Sequence, residues 1–507
     1  MSPNNSFDDI LLHLGEFGPY QRRIYFLLFI PTIFSAMQKL SWVFLGANVP
    51  HRCRLPDEFA NATFQLDTKV ESCSYLNDQG IAVACDRGWI YDRTVFGSSA
   101  VMDWDLVCEN KSSRATAQSL FMLGVLIGSY AFGALSDKFG RKPAFMASIL
   151  IQAAFGILSG IAPNYWTFVL ARMVIGMTTS GVFLVSYVLA MEMVGPSYRV
   201  IAGTLCQYYY TLGFFIIAAT AYYLNFDWQL LQIVLTVPTA LFLAYWWIMP
   251  ESVRWLIQKG RMDEAQRQIR WVAKRNGVDE IPDQDLEELL GKNEDHEAPI
   301  KNAGLLDLFK TPRLRMRTLN LFFSWFVNSG TYYGLSLNTS NMGGDPYWNF
   351  LLSGFVEIPA YAFNLLVLNR PFIGRRLTLS GCLSVGGLAL FATLFVPSNQ
   401  TWVLIALTTF GKLAITASYG VVYIFSAEIY PTEVRNMGMG ASSMCARIGG
   451  ILCPYLNLLG DYWTALPLIV YGSLALLAGV LALLLPETLN KKLPETLEDG
   501  ENFGTEE

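Results

Sequence analysis

The stretch Ala427-Glu-Ile-Tyr-Pro-Thr-Glu-Val-Arg-Asn-Met-Gly-Met-Gly-Ala-Ser-Ser-Met-Cys-Ala-Arg-Ile-Gly-Gly450 holds a repeat marker and, further on, an unusual charge. Its first part, Glu428 to Arg435, echoes Glu192-Met-Val-Gly-Pro-Ser-Tyr-Arg199, with the same Glu-to-Arg separation and a proline between. A chain that repeats such a segment is built twice. The second part sets Arg447 in the middle of an otherwise uncharged apolar run, where an unpaired cation is costly in lipid and is a functional candidate by default.

Around this stretch the 507 residues are 53% hydrophobic, 14% aromatic and only 15% charged, too apolar for a soluble multidomain protein and expected of a polytopic membrane protein. The net charge of -5 argues against a nucleic-acid binder, and part of it sits in the tail Glu495 to Glu507, which is expected to be solvated. Met1 to Gln21 is polar and lacks an apolar core with a cleavage site, so the first apolar segment is expected to do the targeting.

Apolar runs long enough to cross a bilayer occur twelve times, at 24–46, 115–135, 143–162, 166–192, 200–224, 228–249, 318–340, 347–369, 376–396, 401–427, 435–459 and 464–485. An even count puts both termini on one side. The short connections near Asp137 to Lys142, Arg199, Arg370 to Arg376 and Arg435 are basic, whereas those near Pro163, Asp227, Asp345, Pro397 and Asp461 carry no Lys or Arg. The bias of basic residues toward the cytoplasm places both termini there. The chain then divides into a cytoplasmic N-terminus (1–23), a first six-helix half (24–249) with an extracellular loop at 47–114, a cytoplasmic linker (250–317), a second six-helix half (318–485) and a cytoplasmic tail (486–507).

The long loop contains Cys53, Cys73, Cys85 and Cys108 and the sequons beginning at Asn61 and Asn110, so two disulfides in any of three connectivities and a glycosylated cap are expected. A third sequon, at Asn399, lies in a loop too short to mark it as an acceptor. The linker holds thirteen basic and thirteen acidic residues, and Ala265, Ile269, Val272 and Ala273 recur at helical spacing within Arg261 to Arg275. That spacing predicts a short amphipathic helix, as part of a solvated linker or a latch.

The duplication shows elsewhere, at offsets near 234 to 240 residues. Gly140-Arg-Lys142 matches Gly374-Arg-Arg376, and Pro250-Glu-Ser252 matches Pro486-Glu-Thr488. Two parallel repeats separated by a linker describe alternating-access transporters with the substrate near the midplane.

Gly133-Ala-Leu-Ser-Asp137-Lys-Phe-Gly-Arg141-Lys142 resembles the loop signature between the second and third helices of the major facilitator superfamily. The second copy departs from it, because Asn369 to Phe372 replaces the acidic portion. The loop ending Asp103-Trp-Asp-Leu-Val-Cys108, the run Val356-Glu-Ile-Pro359 and Glu428 to Asn436 together resemble the organic cation, carnitine/zwitterion and organic anion transporter family, with insect organic cation transporter-like proteins the nearest subgroup. The resemblance implies an all-α membrane protein of twelve helices in two parallel halves, located in the plasma membrane. At the cytoplasmic helix ends, Asp137 and Arg141 are expected to pair across neighbouring helices and hold the outward-open state, and Glu192, Arg199, Glu428 and Arg435 to form bridges between the halves that close the inner gate. Neither a cofactor nor a metal is expected.

Five charges lie well inside the runs: Lys39, Arg172, Glu357, Lys412 and Arg447. Glu357 and Arg447 are near the midplane, where they either neutralise each other or meet charged parts of a substrate. In the family the resemblance implies, a basic residue at the Arg447 position belongs to anion and carnitine carriers, and an acidic residue at the Glu357 position to cation and carnitine carriers. Together they point to a small organic cation or zwitterion, with a guanidinium for a carboxylate and aromatic rings for an ammonium group. The resemblance implies candidate walls at Phe183, Tyr187, Tyr210, Trp325, Tyr332, Tyr419 and Tyr423, which match lining positions of the family or lie one turn from them. Arg172 and Lys412 are expected to organise helix packing; Lys39 is left between lining the pathway and reaching outward. No G-x-x-x-x-G-K-[ST], G-x-S-x-G or H-E-x-x-H occurs, which counts against a nucleotide-driven pump and a hydrolase. An organic anion carrier and a solute sensor remain as alternatives.

Overall fold

The computed structural model describes residues 7–55, 72–76, 81–224, 227–278, 304–368, 370, 373–397 and 399–504. Long helices dominate: α1 Pro19–Leu45, α2 Lys111–Phe139, α3 Arg141–Gly160, α4 Tyr165–Met193, α5 Arg199–Tyr223, α6 Trp228–Ile248, α7 Pro312–Leu337, α8 Pro346–Val367, α9 Gly374–Ala392, α10 Thr401–Ile429, α11 Arg435–Asn457 and α12 Leu466–Ala482. Among the described residues nine of these are long and apolar enough to cross a membrane; α7, α11 and the shorter α12 are the others. Helix α7 starts at Pro312, earlier than its apolar run, because the helix continues through Arg313, Arg315 and Arg317 where hydropathy does not follow it. In the first six, α2 and α3 pack on α4 and α5 packs on α1; in the last six, α11 packs on α7 and α12 on α9.

Prolines break two of the helices. Pro359 has no N–H to give the Phe355 carbonyl and its ring crowds that carbonyl, so α8 splits into Pro346–Phe355 and Glu357–Val367. Glu357 sits at the break. In α6, Pro238 lies within a tightened 3-10 stretch, Val237–Ala244.

The two repeat markers turn out to be one structural device. Gly140, at φ 109°, ends α2, and the Glu251 carboxylate accepts hydrogen bonds from the backbone N–H of Arg141 at 2.9 Å and Lys142 at 3.3 Å at the start of α3. Gly374, at φ 65°, stands at the start of α9, where Glu487 takes the N–H groups of Arg375 at 2.9 Å and Arg376 at 3.0 Å. A Cβ on either glycine would run into the carboxylate. Each glutamate therefore supplies negative charge and acceptors to a helix start that has unpaired donors. Burial works against the charged form and holds the Glu251 carboxyl above its ordinary value.

In the loop between α1 and α2, Cys53 pairs with Cys85 and Cys73 with Cys108, which selects one of the three connectivities. Two short antiparallel pairs, His51–Cys53 with Trp89–Tyr91 and Ser74–Leu76 with Ala82–Ala84, complete it. The loop is anchored by its own signature: Asp103 accepts from Trp228 Nε1 at 2.7 Å, Trp104 packs on Phe168 and Trp228, and Asp105 accepts from the Tyr91 hydroxyl at 2.8 Å. Asn110 is exposed, whereas Asn61 lies outside the described residues.

The predicted linker helix runs Met262–Asn276 and buries Ala265, Ile269, Val272 and Ala273. It docks on the first six helices, with Asn276 bonded to Tyr20 N–H, Leu14 O and Gln21. The tail departs from the expectation of a solvated segment. Glu501 accepts from the N–H groups of Arg313 and Leu314 at the start of α7, and Arg317 donates to the carbonyls of Gly500 and Phe503. Its acidity complements a helix N-terminus followed by arginines, a partner invisible in composition.

Candidate functional site

Glu357, at the break in α8, is completely buried, and its carboxylate is fully engaged. Lys412 of α10 places Nζ 3.2 Å from Oε1, Tyr332 of α7 donates to Oε1 at 2.6 Å, and Thr211 of α5 donates to Oε2 at 3.0 Å. Lys412 also donates to the Ser353 carbonyl at 2.8 Å and hydroxyl at 2.6 Å, and stands 4.5 Å from the Phe214 ring centre. A carboxylate and an ammonium removed from water are tolerable only with such complete satisfaction. The two midplane candidates therefore do not neutralise each other: Lys412, read from the sequence as a packing residue, takes Glu357.

Arg447 of α11 is left with hydroxyls. Its electrostatic neighbours are Tyr419 and Tyr423 of α10 and Tyr333 of α7, its Nε is buried without a hydrogen bond, and no carboxylate of the described residues pairs with it. Beside it stands an aromatic wall. Trp325 and Tyr423 meet edge-on at 4.2 Å, Tyr419 lies 5.7 Å from Tyr423, and Tyr332 lies 6.0 Å from Tyr419. Trp325 is fixed by donating Nε1 to Ser426 at 2.9 Å. Four of the predicted lining residues thus form one connected group beside Arg447.

The others sit around it. Tyr210 of α5 is an electrostatic neighbour of Glu357 and Tyr333. Phe183 and Tyr187 of α4 stack on each other at 6.5 Å, and Tyr187 is a neighbour of Tyr423. Tyr187 and Tyr423 keep 37% and 41% of their surface accessible, on the side of the site toward the linker. Tyr333 was not singled out by sequence, because only its position on the helix facing α1 and α11 distinguishes it from Tyr332. Lys39 of α1 points inward, with Nζ 4.6 Å from the Tyr333 ring centre. Arg172 fits its expected packing role, bonded to Ser41 and Gln118 and ringed by Trp42, Phe121 and Phe168.

The two sets of six helices meet on the side of the long loop. Lys111 pairs with Asp461 at 3.3 Å, Thr116 bonds the Tyr455 hydroxyl at 3.0 Å, and Ser119 donates to the Ile451 carbonyl at 2.7 Å. Phe44 packs on Tyr347 and Phe350, and Phe214 stacks on Phe350 at 5.1 Å. On the linker side the gating candidates pair within their own set. Arg141 bridges Asp137 at 2.8 Å and Glu192 at 2.9 Å, and Arg375 reaches Glu428 at 3.2 Å. Arg199 pairs with Asp8 at 2.6 Å, and Arg435 donates to the Tyr430 carbonyl at 3.2 Å. The bridges expected across the two sets are replaced by these local ones. Arg375 and Glu428 reproduce the Arg141 and Glu192 pair in the second set, without the acidic portion that Asn369 to Phe372 replaces in the sequence.

Comparison with known proteins agrees with this architecture. The family model described as "Sugar (and other) transporter" matches residues 61–499. The chain is 50% identical over 525 residues to the organic cation transporter protein of Drosophila melanogaster, covering 98% of this chain and 95% of that one. It is 36% identical to the human organic cation/carnitine transporter 2, covering 97% and 93%. Among solved structures, the inward open conformation of the xylose transporter XylE from E. coli superposes with a TM-score of 0.65 at 16% identity, covering 95% of this chain and 100% of that one, a likeness of fold.

Proposed function

The chain belongs to the sugar (and other) transporter family of the major facilitator superfamily, among the organic cation and carnitine transporters, and from that premise we propose that it carries small organic zwitterions and cations across the plasma membrane. It is a transporter rather than an enzyme. Twelve spanning helices form two parallel halves that rock about a midplane site, with both termini cytoplasmic and a glycosylated loop outside. The contacts between halves on the loop side, together with accessible Tyr187 and Tyr423 toward the linker, support an inward-facing state.

The observation that carries the substrate reading is the contrast between the two midplane charges. Glu357 is neutralised by Lys412, whereas Arg447 faces tyrosine hydroxyls beside Trp325 and Tyr423. A guanidinium without a carboxylate partner among the described residues suits a substrate carboxylate, and the adjacent rings suit a quaternary ammonium group. Several different rings rather than one fitted pocket suit a range of substrates. The charge balance of Lys39, Lys412 and Arg447 against Glu357 favours a second reading, an organic anion carrier.

The test is uptake of a labelled zwitterion, a quaternary monocation and an organic anion into proteoliposomes, by wild type and Arg447→Asp. Wild type should accumulate the zwitterion, and the substitution should shift preference to the monocation. Preference for the anion would favour the second reading. An unchanged order among the three would remove Arg447 from charge recognition, and binding without accumulation would make the protein a sensor.

A further inference from the structure

Five cations set among the described helices fall into two groups. Lys412 has Glu357, Arg141 has Glu192 and Asp137, and Arg172 has Ser41, Gln118 and three aromatic rings. Lys39 and Arg447 have neither a carboxylate nor a comparable set of acceptors among the described residues. Lys39 approaches only the face of Tyr333, at 4.6 Å, and Arg447 acts on it as a like charge. Arg447 is in turn a neighbour of the Tyr333 hydroxyl. The two cations thus converge on one tyrosine from opposite parts of the chain, Lys39 from α1 and Arg447 from α11.

Two like charges held together away from bulk water repel strongly, and an intervening anion turns that repulsion into attraction for both. A carboxylate suits the geometry because it offers two oxygens, one to a guanidinium fork and one to an ammonium point charge. We propose that Lys39 is a specificity-determining residue, and that the carboxylate of a transported zwitterion is held jointly by Lys39 and Arg447. This rests on the reading of Arg447 given above and adds a ligand from the first six helices. The substrate carboxylate then links the two sets of helices at the site itself, so that binding favours their approach.

The test compares Lys39→Gln, Lys39→Arg and Arg447→Gln in proteoliposomes, with a carnitine-like zwitterion and a quaternary monocation lacking a carboxylate. Loss of one charged hydrogen bond predicts that Lys39→Gln raises KM for the zwitterion about tenfold, while removal of a repulsive charge lowers KM for the monocation. Lys39→Arg should restore the zwitterion. Monocation uptake also reports that each variant is folded. If Lys39→Gln moves both substrates in the same direction, or neither, the proposal fails. Should Arg447→Gln alone lose the zwitterion, the joint site falls while the reading of Arg447 stands; if neither variant alters preference, both fall. Replacing chloride by gluconate provides the remaining arm: chloride dependence of wild-type monocation uptake that Lys39→Gln abolishes would assign the site to an inorganic anion and overturn the substrate assignment.

Discussion

Lys412 Nζ and Glu357 Oε1 lie 3.2 Å apart, and neither residue is more than 2% exposed. The pair joins α10 to the break in α8, and Thr211 ties it to α5 in the other set of helices. Removing one member strands a charge of the other, at a cost of roughly 3–5 kcal/mol for a buried pair. Lys412→Met and Glu357→Gln should each lower thermal stability in detergent and reduce uptake. The double variant should recover most of the stability, because neither charge then remains to be satisfied. Equal losses in single and double variants would mean the pair is not coupled.

Thr211 donates a direct hydrogen bond between the two sets of helices at the site, at 3.0 Å to Glu357 Oε2. Thr211→Val keeps the shape and removes one donor to a charged acceptor, worth about 1.5–3 kcal/mol. Transport should slow or quicken several-fold, with a smaller effect on melting than Lys412→Met. Transport rates indistinguishable from wild type would show that this contact does not participate in the cycle.

If the halves rock, the contacts on the loop side must separate in each cycle. A short bifunctional thiol linker joining cysteines at Thr116 and Tyr455, whose oxygens are 3.0 Å apart, should stop uptake, and cleaving the linker should restore it. The reaction is best carried out in a background without Cys206, Cys382, Cys445 and Cys453, the four cysteines outside the disulfides. Uptake that continues at the wild-type rate after complete cross-linking would argue against alternating access by separation at this seam.

The tail provides a fourth prediction. Burial alone would raise the Glu501 carboxyl, but hydrogen bonds from the turn at 311–314 and the Arg317 charge outweigh it and hold the group below its ordinary value. A carboxyl lowered in the folded state stabilises docking above its unfolded value, and that contribution is lost as pH falls through the folded value. Protection of the amides of residues 494–504 from hydrogen exchange, relative to the unfolded chain at the same pH, should therefore be high at neutral pH and fall as pH drops below the ordinary glutamate value. Glu501→Gln should give fast exchange at neutral pH. Equal protection in the variant would place the anchor at Arg317 instead.

Much of the architecture was legible because it depends on local periodicity and on a duplicated pattern. Apolar runs located the helices, the spacing of Ala265, Ile269, Val272 and Ala273 located the linker helix, and Gly140, Glu251 and their copies marked the repeat. The aromatic group around Trp325 and Tyr423 followed from lining positions that the family resemblance implies, with Trp325 and Tyr332 seven apart on one helical face. Lys412 and Lys39 were visible as charges in apolar helices, but their partners were not.

By itself the sequence determined which segments are apolar helices, that they are arranged as a repeat, and which few charges must be accommodated among them. Helix formation and membrane burial act within one segment, so a single run of residues suffices to express them. The tertiary structure alone decided that Glu357 belongs to Lys412, that the cysteines pair as Cys53 with Cys85 and Cys73 with Cys108, and that the acidic tail caps α7. Those outcomes depend on the rotation and depth of separate helices relative to one another. Electrostatic pairing at hydrogen-bond distance is settled by ångströms, a scale that the composition of a single segment does not carry. Arg447, the charge in the middle of Ala427 to Gly450, stands free of the carboxylates of the described residues for that reason.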